Sequence, residues 1–291
     1  MRANGPTCRA GLLTGLCLLW AAAAHSEEDR FAGVEITAIP VSGSVHMLVG
    51  AGGNIGVSVG DDGTLIIDDQ FAPLADRITA ALRGLGGDRP RLVLNTHFHG
   101  DHTGGNPVFG EAATIIAHHN VRARLAANPE FAAVGLPVVT FGDRIEVHFN
   151  GETIEVIHLP AGHTDGDSVV WFRNANVLHT GDLLFHGAFP FIDLGSGGSV
   201  PGVIVNLTRL LELVPEDVRI IPGHGPLAGK QAIRDTLEMI RATRTEVMAA
   251  LGAGRSADEI VADGLDERWA SWGAGFINEE RWIRTLAAGA G

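Results

Sequence analysis

The feature that most constrains the fold is an alternation of short apolar segments and longer amphipathic segments, separated by turns rich in glycine. Segments of four to seven apolar or alternating residues are predicted to be strands, and longer amphipathic segments are predicted to be helices. In the first half of the chain, strands are predicted at residues 34–39, 45–49, 55–59, 64–68, 91–95 and 114–117. One helix is predicted at residues 73–83, and another follows the last of these strands.

The second half of the chain repeats this organisation. Strands are predicted at residues 138–141, 144–149, 153–159, 168–172, 177–179 and 219–221, and helices at residues 200–213, 230–251 and 278–288. Ser256 and Glu259 form the pattern of a capping box and predict one more short helix between the last two. Two halves of similar make-up predict an α/β fold in which two sheets pack face to face with helices outside.

Composition and charge exclude several classes of protein. Hydrophobic residues make up 45% of the chain, which is enough for a large core and argues against disorder. The formal net charge is −13, and Lys230 is the only lysine. Nucleic-acid binding relies on clustered positive charge, so no nucleic-acid partner is expected and a small-molecule substrate is favoured.

The N-terminus has the pattern of a signal peptide, predicted at residues 1–26. Arg2 and Arg9 precede a short apolar stretch at residues 11–20, and small residues at 21–24 come before a polar start. That stretch is short for a membrane span, so export to the periplasm or outside the cell is expected, with no membrane anchor after cleavage. A transmembrane anchor is the alternative. Residues 27–291 are predicted to form a single domain.

Both cysteines, Cys8 and Cys17, lie within the predicted signal peptide. The processed chain would therefore contain no thiol. It could form neither a disulfide nor a bond between a thiolate and a metal, and no cysteine nucleophile would be available.

Four residues with metal-ligand side chains occur within six positions. Residues 95–106 read Asn-Thr-His-Phe-His-Gly-Asp-His-Thr-Gly-Gly-Asn and directly follow a predicted strand. Alternate residues of an extended segment point the same way, so His97 and His99 can bind one ion together. Asp101 and His102 follow Gly100, where the chain can turn toward a second ion. Such a density of ligands predicts a metal site.

Three later residues fit the same chemistry. His163, Asp182 and His224 each follow a predicted strand and lie beside glycine. Functional sites are commonly built on loops at the ends of strands, so these side chains are candidates for the same centre. Each would be ambiguous alone, since an aspartate is common in turns and a histidine is often buried for packing.

In its order and spacing, this set resembles the metallo-β-lactamase superfamily of hydrolases. The resemblance extends over most of the processed chain and implies the four-layer αββα sandwich of that family. It implies two Zn²⁺ ions, the first bound by His97, His99 and His163 and the second by Asp101, His102 and His224. Asp182 would bridge the two ions. Imidazoles and carboxylates suit zinc, and iron and manganese remain alternatives.

The expected reaction is attack of a metal-bound hydroxide on a carbonyl carbon. In this scheme Asp101 orients the nucleophile and relays its proton. Hydrolysis of β-lactams is the leading expectation, because an exported enzyme meets such substrates. The alternative is a lactone or thioester hydrolase of the glyoxalase II type, whose ligand set has no cysteine. A non-hydrolytic metal-binding or redox partner protein on the same fold is the alternative from another class.

Other segments near these ligands carry weaker expectations. His186 follows Asp182 closely and is a candidate for substrate contact, and the apolar, glycine-rich loop at residues 189–198 is a candidate wall of the same pocket. The loop at residues 50–53 is interpreted as a hairpin turn, with a flexible flap as the alternative. Five other histidines are interpreted as structural or surface residues: His46, His118, His119, His148 and His158. His179 is interpreted as packing in the strand or orienting a ligand.

Overall fold

The computed structural model describes Met1 and residues 30–289. The predicted signal peptide lies, apart from Met1, outside the described residues. Two compact units are distinguished, Met1–Val34 and Glu35–Gly291. The first is described by a short turn in which the Val34 N–H donates to the Phe31 carbonyl over 3.0 Å. The second contains both sheets. The single domain over residues 27–291 stays a prediction.

The first sheet contains seven strands in sequence order. The first four strands form antiparallel hairpins, and the last four strands, from β4 onward, run parallel to one another. Gly43 and Gly63 have positive φ angles in two of the tight turns, a conformation that glycine adopts readily. The strands are β1 (Thr37–Ser42), β2 (Val45–Val49), β3 (Ile55–Gly60), β4 (Gly63–Ile67), β5 (Leu92–Asn95), β6 (Thr114–His118) and β7 (Val139–Phe141).

The second sheet contains six strands. Its members are β8 (Arg144–Phe149), β9 (Glu152–His158), β10 (Ser168–Phe172), β11 (Val177–His179), β12 (Arg219–Ile221) and β13 (Ala228–Gly229). They lie in the order β13-β12-β11-β10-β9-β8. The β11–β12 pair is parallel and the other pairs are antiparallel, so β9, β11 and β12 run in the same direction.

The two sheets pack face to face through one apolar core. Leu65 and Ile67 of β4 belong to the same buried cluster as Val170 and Phe172 of β10. Alternate residues of a strand face opposite sides, so Ile66, which is also fully buried, faces the outside of the first sheet. Both faces of the first sheet are therefore covered, as a four-layer arrangement requires.

The longer helices cover the outer faces, and two short ones lie in the segment between β5 and β6. In chain order the helices are α1 (Ala75–Gly84), the short α2 (Gly100–Thr103) and α3 (Asn106–Phe109), α4 (His119–Ala127), α5 (Val200–Leu213), α6 (Lys230–Gly252), α7 (Ala257–Asp263) and α8 (Glu279–Ala288). Helices α5, α6 and α8 share a second buried cluster with Trp171 and Leu178 of the second sheet. The predicted α/β sandwich of two sheets with helices outside is confirmed. Within residues 30–289, no helix is long and apolar enough to cross a membrane.

Some element boundaries differ from the predicted ones. The first strand begins at Thr37 rather than at residue 34, and the helix predicted at residues 73–83 is a 3₁₀ turn, Ala72–Leu74, followed by α1. The two short helices α2 and α3 were not predicted. The first of these helices begins directly after His99. The chain can turn there because Gly104 and Gly105, which have no side chains, pack against the backbone of Gln70 and Asp69.

The topology gathers the carboxyl ends of strands from both sheets. Strands β4, β5 and β6 are parallel, so their carboxyl ends lie side by side at one edge of the first sheet. Strands β9, β11 and β12 also run in one direction, so their carboxyl ends lie at one edge of the second sheet. A backbone bridge joins Phe185, after β11, to His224, after β12. The loops that carry the candidate ligands all leave the strands at such ends.

Candidate metal centre

One group of candidate ligands lies after β5, β9 and β11. Its members are His97, His99, His163 and Asp182, each with a ligand atom within 4.8 Å of the others. His99 Nδ1 lies 3.1 Å from His97 Nε2 and 2.8 Å from His163 Nε2. His97 and His163 are almost completely buried, and His99 is partly exposed. The three imidazoles therefore aim one nitrogen each at a common point that solvent can reach from one side.

A second group lies directly beside the first. It consists of Asp101, His102 and His224, again within 4.8 Å of one another. His224 Nε2 lies 3.3 Å from Asp101 Oδ2 and 3.4 Å from His102 Nε2. His102 is fully buried, whereas the side chains of Asp101 and His224 are about 30% exposed. This second group therefore also opens to solvent on one side.

Asp182 lies between the two groups and contacts both. Its Oδ2 is 3.5 Å from His163 Nε2 and 3.4 Å from His224 Nε2, while its Oδ1 is 3.0 Å from His102 Nε2. Despite that short approach, Oδ1 accepts no hydrogen bond among the described residues. A buried carboxylate oxygen without a partner is costly, so this position suits an oxygen that would bind a cation.

The outward-facing nitrogens of the histidines are held by acceptors. His102 Nδ1 lies 2.8 Å from Asp68 Oδ2, His163 Nδ1 lies 2.7 Å from the Phe191 carbonyl, and His99 Nε2 lies 3.1 Å from Asp193 Oδ2. These contacts place the proton of each imidazole on its outer nitrogen. The inner nitrogen then presents a lone pair to the centre, as a metal-binding histidine requires.

Thr96 completes this arrangement at His97. Its hydroxyl donates to Asp68 Oδ2 over 2.7 Å, so the 3.0 Å contact with His97 Nδ1 is one in which Thr96 Oγ1 accepts. The Thr96 N–H also donates to Asp68, over 2.8 Å to Oδ1. Asp68 thus holds one histidine of each group, His102 directly and His97 through Thr96.

This donor set fits divalent metal ions. The inner nitrogens of His97, His99 and His163 face one another at hydrogen-bond distance, but their protons are on the outer nitrogens. Lone pairs at such separations repel unless a cation lies between them. Two adjacent groups rich in imidazole, with a shared carboxylate, are the kind of ligand set that zinc and similar divalent ions prefer.

The electrostatics of the two groups differ. Burial, together with the neighbouring histidines, lowers the pKa of His97 well below its usual range, and burial lowers the pKa of His163 to about 4. Burial acts in the same direction on His224, but the carboxylates of Asp182 and Asp101 outweigh it and raise its pKa to about 9. Burial therefore favours the neutral imidazole at His97 and His163, whereas the two carboxylates favour the charged form at His224.

Glycines make this close packing feasible. A Cβ at Gly53 would lie 2.2 Å from the His102 ring, and a Cβ at Gly223 would lie 2.1 Å from Asp182 Oδ1. The Gly53 N–H donates to the Asp101 carbonyl over 3.1 Å, and Gln70 Nε2 donates to the Gly53 carbonyl over 2.7 Å. The loop at residues 50–53 thus connects β2 to β3 and packs against the segment that carries Asp101 and His102.

The remaining predicted residues lie around this centre. The His186 N–H donates to the His224 carbonyl over 2.9 Å, and its ring contacts the Pro226 carbonyl, so His186 lies beside the second group and its contact with substrate stays a prediction. The loop at residues 189–198 supplies Phe191 and Asp193 to the first group. His179 is buried and contacts the Asn54 carbonyl over 3.1 Å.

Three residues of the centre were not predicted: Asp68, Thr96 and Asp193. Asp68 has a φ of +62° directly after β4, and its partners His102 and Thr96 belong to another loop. An Asp-Asp pair at the end of a buried strand was the available signal, since charges there rarely lack partners. Thr96 lies inside the histidine motif, and Asp193 carries no comparable signal.

Comparison with known protein families shows the family to which this chain belongs. The family model described as the metallo-beta-lactamase superfamily matches residues 48–224, which is more than half of the chain and spans all seven candidate ligands. The chain belongs to the metallo-β-lactamase superfamily. Its seven candidate ligands form a site rich in histidine and aspartate, with the geometry of groups that could hold metal ions.

Curated relatives of this superfamily member include thioester hydrolases. It is 32% identical over 155 residues to a hydroxyacylglutathione hydrolase of Nitrosococcus oceani, a match that covers 52% of this chain. The chain spans about half the length of that relative, 55%. It is 28% identical over 220 residues to an acyl-coenzyme A thioesterase of Gallus gallus, covering 62% of this chain and 75% of that one.

Solved structures show the same fold. A metallo-beta-lactamase from Pontibacter korlensis superposes with a TM-score of 0.60, covering 72% of this chain and 99% of that chain. Its sequence identity to this superfamily member is 20%, so the likeness concerns the fold alone.

Proposed function

We propose that this superfamily member is a dinuclear metal hydrolase that cleaves thioesters. The observation that carries the proposal is the pair of adjacent ligand groups on either side of Asp182, both of which open to solvent on one side. Zinc is the proposed ion at both positions, with Asp182 as the shared ligand. We also propose a periplasmic or secreted location, which rests on the signal-peptide pattern at residues 1–26 alone.

The protein side chains have separate tasks in this proposal. His97, His99 and His163 would hold one ion, and Asp101, His102 and His224 would hold the other. Metal ions bound there supply Lewis acidity and lower the pKa of water. The Asp101 carboxylate is partly exposed beside His224, so it can accept the proton of an attacking water and orient that water toward a carbonyl carbon.

Thioesters are favoured over β-lactams by the curated relatives. Both of the relatives described above are named for the hydrolysis of thioesters, whereas the β-lactamase matches are structural likenesses at about 20% identity. The candidate ligands are histidines and aspartates throughout, which agrees with the alternative of a glyoxalase II-type enzyme. β-Lactam hydrolysis, the leading expectation from the sequence, thus becomes the second candidate.

A substrate panel tests the proposal. Zinc-loaded protein would be assayed with S-lactoylglutathione, acyl-coenzyme A, a homoserine lactone and a chromogenic cephalosporin, each before and after treatment with a chelator. We expect thioester cleavage that the chelator abolishes and zinc restores. Cephalosporin turnover without thioester turnover would contradict the proposal.

The Asp101→Asn variant tests this carboxylate both as a ligand and as a proton acceptor, so its zinc content is measured beside kcat. Loss of its proton acceptor is expected to lower kcat about 10²- to 10⁴-fold, and the matched exposed control Asp61→Asn is expected to leave kcat unchanged. Protein that binds two zinc ions yet cleaves no substrate of the panel would favour the non-hydrolytic or redox alternative.

A further inference from the structure

The C-terminal segment that lies beyond the family match packs against the loop beside the metal centre. The Phe189 N–H donates to the Trp272 carbonyl over 2.9 Å, and the Phe189 ring stacks on Trp282 of α8 at 5.6 Å. A Cβ at Gly275 would lie 3.2 Å from the Ala188 Cβ. The segment from Trp272 to Trp282 is therefore fixed against the loop that carries Phe191 and Asp193.

This segment presents one large apolar side chain to solvent. Phe276 is 70% exposed, while the next residue, Ile277, is 3% exposed and anchors the backbone in the core. The Arg281 guanidinium donates to the Phe276 carbonyl over 2.9 Å and lies 4.5 Å from the centre of the Phe276 ring. The ring is thus held in a defined place although it gains little from burial.

Phe191 connects Phe276 to the metal centre. Its ring lies 5.7 Å from the rings of both His99 and His163 and 6.1 Å, edge to face, from the Phe276 ring. Its carbonyl accepts from His163 Nδ1, which fixes its position relative to the first ligand group. Phe191 and Phe276 therefore form a continuous aromatic strip that leads outward from that group.

The polarity of this strip identifies the part of the substrate that fits it. Resting on the proposed function, a thioester at the centre has an acyl group on one side of the carbonyl and a thiol on the other. The thiol-bearing parts of glutathione and coenzyme A are charged and polar, and the two phenyl rings offer them no hydrogen-bond partner. The Arg281 guanidinium beside the Phe276 ring already donates to the Phe276 carbonyl. An aliphatic acyl chain, in contrast, loses its contact with water on such a strip.

We infer that Phe191 and Phe276 form the acyl subsite and give the enzyme a preference for thioesters with a medium-length aliphatic acyl chain. The preference originates in Phe276 at the outer end, because a short acyl group ends beside Phe191. Each added pair of methylenes is expected to raise kcat/KM about fivefold, since the strip covers the chain from one side only.

The test uses acetyl, butyryl and octanoyl thioesters of N-acetylcysteamine, which share one uncharged thiol. Their hydrolysis by the zinc-loaded wild type is compared with that by Phe276→Ala and by Val205→Ala, a control that removes another exposed apolar side chain from α5. We expect kcat/KM to rise from acetyl to octanoyl in the wild type and the control. In Phe276→Ala, the octanoyl value should fall at least tenfold while the acetyl value stays within twofold.

Binding of octanoate, measured by calorimetry, provides a readout that needs no turnover. It is expected to weaken about tenfold in Phe276→Ala and to stay unchanged in Val205→Ala. Equal rates for all chain lengths, or an equal loss with every substrate in Phe276→Ala, would overturn the acyl subsite. If the zinc-loaded protein cleaves no thioester, the proposed function fails, and weaker octanoate binding by Phe276→Ala alone then decides whether the subsite exists.

Discussion

Asp68 is the residue on which the geometry of both ligand groups depends. It is completely buried, accepts from His102 Nδ1 and holds Thr96, which in turn contacts His97. Carboxylates of this kind orient metal-binding histidines and raise their basicity. A single side chain thus links two ligands that belong to different ions in the proposed centre.

The Asp68→Asn variant is expected to bind zinc about 10- to 100-fold more weakly. The carboxylate accepts from the Thr96 N–H at Oδ1 and from His102 and the Thr96 hydroxyl at Oδ2, whereas the amide has one acceptor oxygen and must lose one of these two sets of bonds. Zinc content after dialysis against a graded chelator series measures the loss. Asp61→Asn, which changes an exposed aspartate in the β3–β4 turn, is the control. Unchanged zinc affinity in Asp68→Asn would contradict this role.

His118 is expected to make the folded state sensitive to acid. It stacks on His158 with 3.7 Å between ring centres, and burial, followed by the charges of His158 and His119, lowers its pKa to about 4. The unfolded chain binds a proton there near pH 6.5, so the free energy of unfolding should fall as the pH drops from about 6.5 to 4. Above that window His118 contributes no pH dependence.

Urea unfolding of the metal-free protein between pH 4 and 8 checks this expectation. His118→Phe keeps a ring at the position but cannot bind a proton, so its stability should fall less steeply with acid than that of the wild type. His148→Asn is the control, because the His148 side chain is 71% exposed. A His118→Phe slope identical to the wild-type slope would exclude His118 as the source.

The residues of the centre were predictable to different degrees. His97, His99, Asp101 and His102 stand out because four ligand-type side chains would crowd one another within six positions unless a metal ion held them together. The prediction of His163, Asp182 and His224 as ligands depended on the expectation that the ends of several strands lie together at one edge of the fold. Asp68 and Asp193 could not be assigned, since their partners belong to other loops and only the folded chain brings them together.

At the scale of elements, the β2–β3 loop determines the space around His102. A Cβ at Gly53 would lie 2.2 Å from the His102 ring. The Gly53 backbone is held in place by hydrogen bonds to Asp101 and Gln70, so it cannot move away from the ring. Overpacking of this kind costs about 1–3 kcal/mol. The same clash would displace a ligand of the second group.

Gly53→Ala is therefore expected to fold and to lose its second zinc ion and most of its activity. The measurement combines circular dichroism with zinc content and kcat. Gly142→Ala is the matched control, because a Cβ at Gly142 has nothing within 4 Å. A Gly53→Ala protein with full zinc content would show that the loop yields more easily than its contacts imply.

Helix α8 couples the C-terminal elements to the centre through Trp282. This side chain is fully buried, donates to Thr243 Oγ1 over 3.0 Å and stacks on Phe189. Trp282→Ala is expected to lower the free energy of unfolding by about 3–5 kcal/mol, which urea denaturation measures. Arg284→Ala, which changes an exposed side chain of the same helix, should leave that free energy almost unchanged. An equal loss of unfolding free energy in Trp282→Ala and Arg284→Ala would contradict this stabilising role of Trp282.

Strand positions were predicted well because glycine turns and apolar runs are local signals. Strands β2, β10, β11 and β12 have the predicted boundaries. The short helices α2 and α3 were not predicted, because four residues form about one helical turn and cannot show a helical periodicity of apolar residues. Their winding depends on contacts of Gly104 and Gly105 with the segment after β4, which is distant in sequence.

For the whole molecule, metal binding and folding are expected to be linked. The seven candidate ligands extend from residue 97 to residue 224 and join both sheets, so they meet only in the folded chain. Zinc at 1,000 times its Kd should raise the free energy of unfolding by about 4 kcal/mol for each site. The thermal midpoint should rise by roughly 2–4 °C per kcal/mol.

Differential scanning calorimetry with zinc, with chelator and with magnesium checks this link. Magnesium prefers oxygen ligands and should leave the midpoint unchanged. A midpoint that does not respond to zinc would mean that the ligand groups do not bind it in the folded state.

The segment that supplies Phe276 begins after the last candidate ligand, His224. Phe191 lies between the ligands Asp182 and His224, whereas Phe276, in which the chain-length preference originates, lies outside the stretch that supplies the ligands. A single crossover between two genes near this point would exchange one acyl preference for another and leave every ligand in place. Recombination at the 3′ ends of such genes can change the substrate preference of the encoded enzyme while the metal ligands stay unchanged.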